Sequence, residues 1–204
     1  MTSISSKISF LKPIFVGLCA LYLAGCSTLP EPSNTVWQAH QEQLNALSHY
    51  TAKGRFAYRD PEQRFSASLF WAQEATERRF RLTSFVGKTL LAAEQSSTQV
   101  TLTDVDGEQH IGDDINTMTQ QLTGLIIPVN ELSDWLIGLP TGADHYSLNA
   151  QQRLAELSMT RQGRTWQLTI EQYDYRHTPA LPSTLTLHSG DLKMTLQLNQ
   201  WELK

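Results

Sequence analysis

Cys26 is the side chain whose surroundings commit it most plainly to a covalent reaction. It closes the run Leu23-Ala24-Gly25-Cys26, and upstream lie Lys7, Lys12 and an apolar stretch from Pro13 to Leu23. A weakly basic start, a short hydrophobic run and two small residues before a cysteine make up a bacterial secretory signal that ends in a lipobox. The chemistry expected of that thiol is diacylation, with cleavage just before it. Spanning a bilayer takes roughly 20 apolar residues. This run is shorter and gives way at once to Ser27, Thr28, Pro30, Glu31 and Pro32, so residues 1–25 read as a cleaved leader. An ordinary signal peptide with an incidental cysteine is the alternative. The only other cysteine, Cys19, lies inside the leader, so the mature chain has no pair to oxidise and must be stable without disulfides.

Other reactive groups are sparse. No Gly-x-Ser-x-Gly elbow, His-Glu-x-x-His, phosphate-cradling glycine loop or Ser-x-x-Lys occurs in the mature region. His110 near Asp113 and Asp114 could be argued into a metal site, but an Asp at a strand-to-helix junction is already explained by capping. Asp104 and Asp106 flank a turn, which explains them too. His40 falls on an apolar helical stripe and reads as a packed or hydrogen-bonded histidine, while His145, His177 and His188 sit in polar company as surface residues. Neither an enzyme nor a cofactor is expected. A formal charge of −4 and a pI near 5.8, with Arg and Lys scattered, also leave no electrostatic footprint for nucleic acid.

The elements that would position anything begin after a tether. Residues 26–34 are polar and proline-containing, and residues 35–204 are long enough for one domain with a sizeable core. From Asn34 as N-cap, Trp37, His40, Leu44 and Leu47 recur at helical spacing. Beyond Ser48 the period becomes two. Tyr50, Ala52, Gly54, Phe56 and Tyr58 alternate with polar residues up to the Asp60-Pro61 turn, and Phe65 to Trp71 and Phe80 with Leu82 repeat the habit. Leu90 to Ala93 and Val100 to Val105 continue it. After the middle of the chain come Leu157 with Met159, Trp166 to Ile170, Leu185 with Leu187, and Leu192 to Leu198. Roughly ten such strands cannot stay a flat open sheet, because twist accumulates and bare edges aggregate, so the sheet should curl towards a barrel. Two helices interrupt it. One is capped by Asp113 or Asp114 and carries Ile115, Met118 and Leu122. The other is capped by Asn130 and carries Leu132, Trp135 and Leu136, ending at Gly138 before Pro140. They pack the core, or they form a lid over an apolar interior; the same burial pattern fits both.

Ser84-Phe85-Val86-Gly87-Lys88 joins two strands, and two adjacent apolar residues in a loop ask for a reason. Phe85 could fold back on the core. Alternatively Phe85, Val86 and Gly87 form a membrane-probing tip, with Lys88 beside it for anionic headgroups.

The run Leu122-Thr123-Gly124, Ile127-Pro128, Asn130, Leu132, Trp135 and Gly138-Leu139-Pro140 resembles the signature of the LolB family of outer-membrane lipoprotein receptors. Trp37-x-x-His40, Gly54-x-Phe56-Ala57-Tyr58, Phe70-Trp71, Tyr173-Asp174, Pro179 with Pro182, and Trp201 follow in the family's order. The resemblance covers essentially the whole mature chain. It implies a mainly β fold, an incomplete antiparallel barrel with helices closing one side around an apolar cavity. It further implies a protein that accepts lipoproteins from the periplasmic carrier LolA and inserts them into the outer membrane, with no cofactor. Ser27, directly after the lipidated cysteine, fits outer-membrane residence on the periplasmic face. The family's protruding loop carries a leucine at its tip; Val86 stands at the matching position here, with Phe85 as a possible substitute.

Such a role is coherent physically. Each acyl methylene exposed to water costs about 0.8 kcal/mol, so a lipidated client needs a lined cavity. Candidate lining residues are Phe56, Leu69, Trp71, Leu82, Trp135, Trp166, Leu168, Leu185 and Leu196. The partners implied are LolA, client lipoproteins and outer-membrane lipids, and a monomer is expected. Two rivals stand beside this reading. One is a structural or assembly lipoprotein that binds a protein partner with its curled sheet; the other is a lipid-modifying hydrolase, for which no nucleophile and base can be named.

Overall fold

Period-two alternation over most of the chain produces strands with one apolar face, and those faces can be buried only if the sheet wraps around something. The computed structural model describes residues 35–204; Cys26, the tether and the Asn34 cap lie outside them. The elements run α1 (Thr35–Asn45), β1 (His49–Arg59), β2 (Arg64–Glu74), β3 (Glu77–Thr83), β4 (Thr89–Gln95), β5 (Val100–Thr103) and β6 (Gln109–Gly112). Then come α2 (Ile115–Thr123), α3 (Val129–Ile137), β7 (His145–Leu148), β8 (Leu154–Arg161), β9 (Arg164–Asp174), β10 (Leu181–Ser189) and β11 (Leu192–Leu203).

All eleven strands belong to one antiparallel sheet in the order β6-β5-β4-β3-β2-β1-β11-β10-β9-β8-β7. The first and last strands meet in the middle, with Phe56 opposite Leu196 and Ala52 opposite Trp201. The barrel is unclosed because β6 and β7 end the sheet without pairing to each other, and the chain crosses between them through α2 and α3. Gly54 marks a register shift between β1 and β11, and it must be glycine because a Cβ there would collide with the Gln197 carbonyl oxygen.

One continuous core joins the two groups of strands with α1 and α3. On α1, Trp37, His40 and Leu44 are buried, and Trp37 donates its indole N–H to the Tyr146 hydroxyl on β7 (3.3 Å). The helix stops at Asn45, so Leu47 lies beyond it. Asp114 rather than Asp113 caps α2, accepting the Thr117 N–H at 2.7 Å. The Asn130 cap expected for α3 is not what forms. That helix starts at Val129, behind Pro128, whose missing N–H is harmless where helix donors are unpaired anyway. Eleven strands form where roughly ten are expected, and the four-residue edges β6 and β7 are the two that alternation in the sequence does not mark.

Candidate functional site

The concave face of the sheet builds the interior. Phe56, Leu69, Trp71, Leu82, Trp166, Leu168, Leu185 and Leu196 all point inward, and with Trp135 they form part of one cluster in which none of the nine is more than 5% exposed. Their common face follows from register: Leu69 is opposite Leu82, Trp71 opposite Phe80, and Leu185 opposite Leu196. Trp71 and Phe80 stack with centroids 5.6 Å apart and planes 12° apart, a favourable aromatic pairing beyond the area buried.

Helix α3 occupies the open side of this bowl. Val129, Leu132, Ser133, Trp135, Leu136 and Ile137 are buried, so the helix is covered nearly all round, as a core helix is. Trp135 is fully buried, and its indole N–H reaches the Thr141 carbonyl at 3.0 Å. Polar bonds tie the helix to the sheet. Arg78 of β3 donates to Ser133 Oγ (2.8 Å), to the Val129 carbonyl (3.4 Å) and to Gln95 Oε1 (3.1 Å), while its guanidinium lies 5.8 Å from the Trp71 ring centre. The Tyr50 hydroxyl donates to the Ser133 carbonyl at 2.8 Å. Burial pushes the Tyr50 phenol up and the Arg78 guanidinium down from their ordinary values, because desolvation opposes each charged form. Sequence reasoning missed Arg78. The available signal was parity, since residue 78 is in phase with Phe80 and Leu82 and therefore points inward.

The loop between β3 and β4 is held outward by its own turn. Gly87 N–H donates to the Ser84 carbonyl (3.0 Å), Ser84 N–H to the Lys88 carbonyl (2.8 Å), and Lys88 N–H to Ser84 Oγ (3.1 Å). Gly87 has φ +85°, the left-handed residue that completes a three-residue hairpin loop. Phe85 and Val86 fill the central turn positions and project away, 98% and 71% exposed, so Phe85 does not fold back on the core. The neighbouring β5–β6 turn shows that the backbone does not demand apolar residues there. It repeats the bonds from Gly107 N–H to Asp104 O and from Asp104 N–H to Glu108 O, yet it presents Val105 and Asp106 between acidic flanks.

Near that second turn, His110 Nε2 lies 2.8 Å from Asp104 Oδ2, and together with Glu108 these are the ligand-type groups that converge among the described residues. Asp114, considered with His110 from sequence, is instead engaged in capping α2. The convergence has a structural explanation: Asp104 Oδ1 accepts the N–H groups of Asp106 and Glu108, and the His110 bond draws its carboxyl below the usual range. His40 is buried without a partner for Nε2, and burial, aided by Arg153, lowers its pKa to about 4, which keeps it neutral.

A groove of about 510 Å³ lies between the α2–α3 connection and the β8–β9 hairpin, where Ile126, Met159 and Trp166 lie beside Arg161 and Gln120.

A family model described as outer membrane lipoprotein LolB matches residues 48–201. The outer-membrane lipoprotein LolB of Yersinia enterocolitica is 36% identical over 97% of this chain and 98% of its own. That of Klebsiella pneumoniae is 37% identical over 92% and 96%. Among solved structures, a putative outer membrane lipoprotein-sorting protein domain from Vibrio parahaemolyticus superposes with a TM-score of 0.59 over 83% of this chain and 91% of that one. At 10% identity, that likeness concerns the fold.

Proposed function

This chain belongs to the LolB family of outer-membrane lipoproteins, and from that premise we propose that it receives lipoproteins from the periplasmic carrier LolA, shelters their acyl chains and inserts them into the outer membrane. The observation that carries the reading is a largely apolar, helix-covered interior on the same domain as an apolar tip that the fold itself does not require. In this account Cys26 is the lipidated anchor, residues 26–34 the tether, and residues 35–204 the working domain on the periplasmic face.

Acyl chains would enter where α3 and the α2–α3 connection cover the bowl. The interior is filled by the chain's own side chains, so accommodation requires this helical layer to withdraw, exchanging side-chain contacts for acyl contacts of similar character. Both states remain apolar, and the differential free energy is small compared with the cost of leaving acyl methylenes in water. No bond is made or broken, so the cycle calls for no nucleophile. Direction comes from graded affinity, receptor above carrier and membrane above receptor.

The reading is tested with an apolar fluorescent probe added to the Cys26→Ala chain. Saturable probe binding that is reversed by a diacylated lipopeptide, and not by the same peptide without lipid, is expected. Absence of any such binding would overturn it in favour of a lipoprotein that engages a protein partner through its sheet.

A further inference from the structure

We propose that the outer face of β2, β1, β11 and β10, beside the Phe85 tip, is a docking surface for the phosphate headgroups of anionic phospholipids. The register places Arg64 opposite Arg59, Arg59 opposite Lys193 and Lys193 opposite His188. Three certain cations and a histidine thus form one row across four adjacent strands, next to the turns that end them. Like charges directly opposite across strands are destabilising, and the chain as a whole is net negative. Among the described residues no carboxylate lies within 4.0 Å of Arg55, Arg59, Arg64 or Lys193. Lys53 and Arg79, farther down the same face, are by contrast paired with Glu202 and Glu74 at 2.9 and 2.7 Å. The cations of the row therefore hold no direct ion pair and can meet the phosphates of a multivalent anionic surface, with Asp60, Glu62 and Asp191 in the adjoining turns as the nearest acidic residues in sequence.

What identifies the occupant as a lipid surface is the neighbour. One step along the same face lie the small residues Ser66, Ala57 and Thr195, mutually in register. They floor a groove of about 490 Å³ that Arg55 and Phe85 also line. The exposed Phe85 ring on one side, the Ser66 and Thr195 hydroxyls on the floor and the Arg55 guanidinium at the rim match the order of a phospholipid's acyl region, glycerol esters and phosphate. A soluble phosphate would leave Phe85 unused. The proposal rests on the reading that the Phe85-Val86 tip meets the membrane, and it adds a tilt: the domain leans onto this face rather than standing on the tip alone.

The test uses the full chain carrying Cys26→Ala, so that no acyl anchor contributes, co-sedimented with vesicles of phosphatidylethanolamine alone and of phosphatidylethanolamine doped with phosphatidylglycerol. The doped vesicles should bind it more tightly, in a manner weakened by salt. Each surface cation contributes about fivefold near an anionic membrane, so Arg59→Gln with Arg64→Gln should lower affinity for doped vesicles roughly 25-fold and leave binding to the undoped ones unchanged. Lys53→Gln with Arg79→Gln, which removes the same charge from paired positions, should change little. If the first pair fails to fold by circular dichroism, Lys193→Gln alone should give about a fivefold loss. Undiminished binding of the row variants to doped vesicles would overturn the proposal, as would equal losses from both pairs, which would mean net charge alone. Loss seen only in delivery by the carrier would assign the row to an acidic protein surface instead. Absence of parental binding to either vesicle refutes the tip reading, and the proposal with it.

Discussion

Replacing Val86 by Glu should separate receipt of cargo from its release. Phe85 and Val86 stand 98% and 71% exposed at the tip of a self-bonded turn, so the variant leaves the fold intact. Burying such a side chain is worth about 1.5–3 kcal/mol. Allowing for its partial exposure, Val86 contributes about 1.5 kcal/mol on entering the interface, and a carboxylate in its place adds a desolvation penalty at least as large, besides repulsion from anionic lipid. Together these lower the tip's membrane partition on the order of 100-fold. Phe85→Glu with Val86→Glu removes the rest and shows whether Phe85 compensates for the short valine. Val86→Leu adds one methylene, about 0.8 kcal/mol, and should strengthen partition about fourfold. The assay follows a labelled lipoprotein through two steps, from carrier to protein and from protein to liposomes. The first should be unchanged in all three variants, because the interior is untouched, while the second falls in the Glu variants. Delivery at the parental rate by both Glu variants would refute the reasoning and make the loop an ordinary hairpin.

Other perturbations bear on the anchor, the helical cover and the core. Cys26→Ala should give a folded, soluble periplasmic protein with the melting behaviour of the lipidated form, since the core is built from residues 37–201; loss of folding would contradict that. Trp135→Ala should cost about 3–5 kcal/mol in urea unfolding, because a fully buried ring and its 3.0 Å bond to Thr141 are lost; a cost under about 1 kcal/mol would place Trp135 outside the load of the core. Arg78→Met should cost about 1–3 kcal/mol and speed uptake of an apolar probe, since the bonds from Arg78 to Ser133 and Val129 hold α3 down; unchanged uptake would show that α3 is not the cover. His40 ionises at about 4 in the fold against 6.5 for the free side chain. The unfolded chain therefore binds the proton first, and stability present above pH 6.5 should decline as pH falls towards 4. Urea unfolding of His40→Gln across that window should lack this part of the slope.

The long strands could be read from sequence because one face is buried and the other wet, which imposes alternation along most of β1, β2, β3, β9 and β11. The edges β6 and β7 could not. Four residues carry too little alternation, and Ile111 and Tyr146 there remain exposed, so pairing with one neighbour decides them. The start of α3 was misplaced by two residues because Asn130 has the chemistry of a cap, while Pro128 fixes the entry instead and Asn130 turns to Asp114 and Gln95. The nine residues read as candidate lining are all buried, since strand or helix periodicity marks the inward face. Whether they line a space or fill it depends on the seat of α3, which no local pattern encodes. The tip was ambiguous for a different reason: an apolar pair in a short loop fits both burial and exposure, and the hydrogen bonds closing the Ser84–Lys88 turn decide between them. The basic row is invisible along the chain because Arg59, Arg64, His188 and Lys193 come together only through strand register.

The most direct test of the central claim is transfer of a labelled lipoprotein from its LolA carrier to the purified Cys26→Ala chain. The account predicts that label leaves the carrier and comigrates with this protein in the absence of any nucleotide, then passes to liposomes when they are added. Label that stays on the carrier, with a folded receptor present in excess, would contradict it.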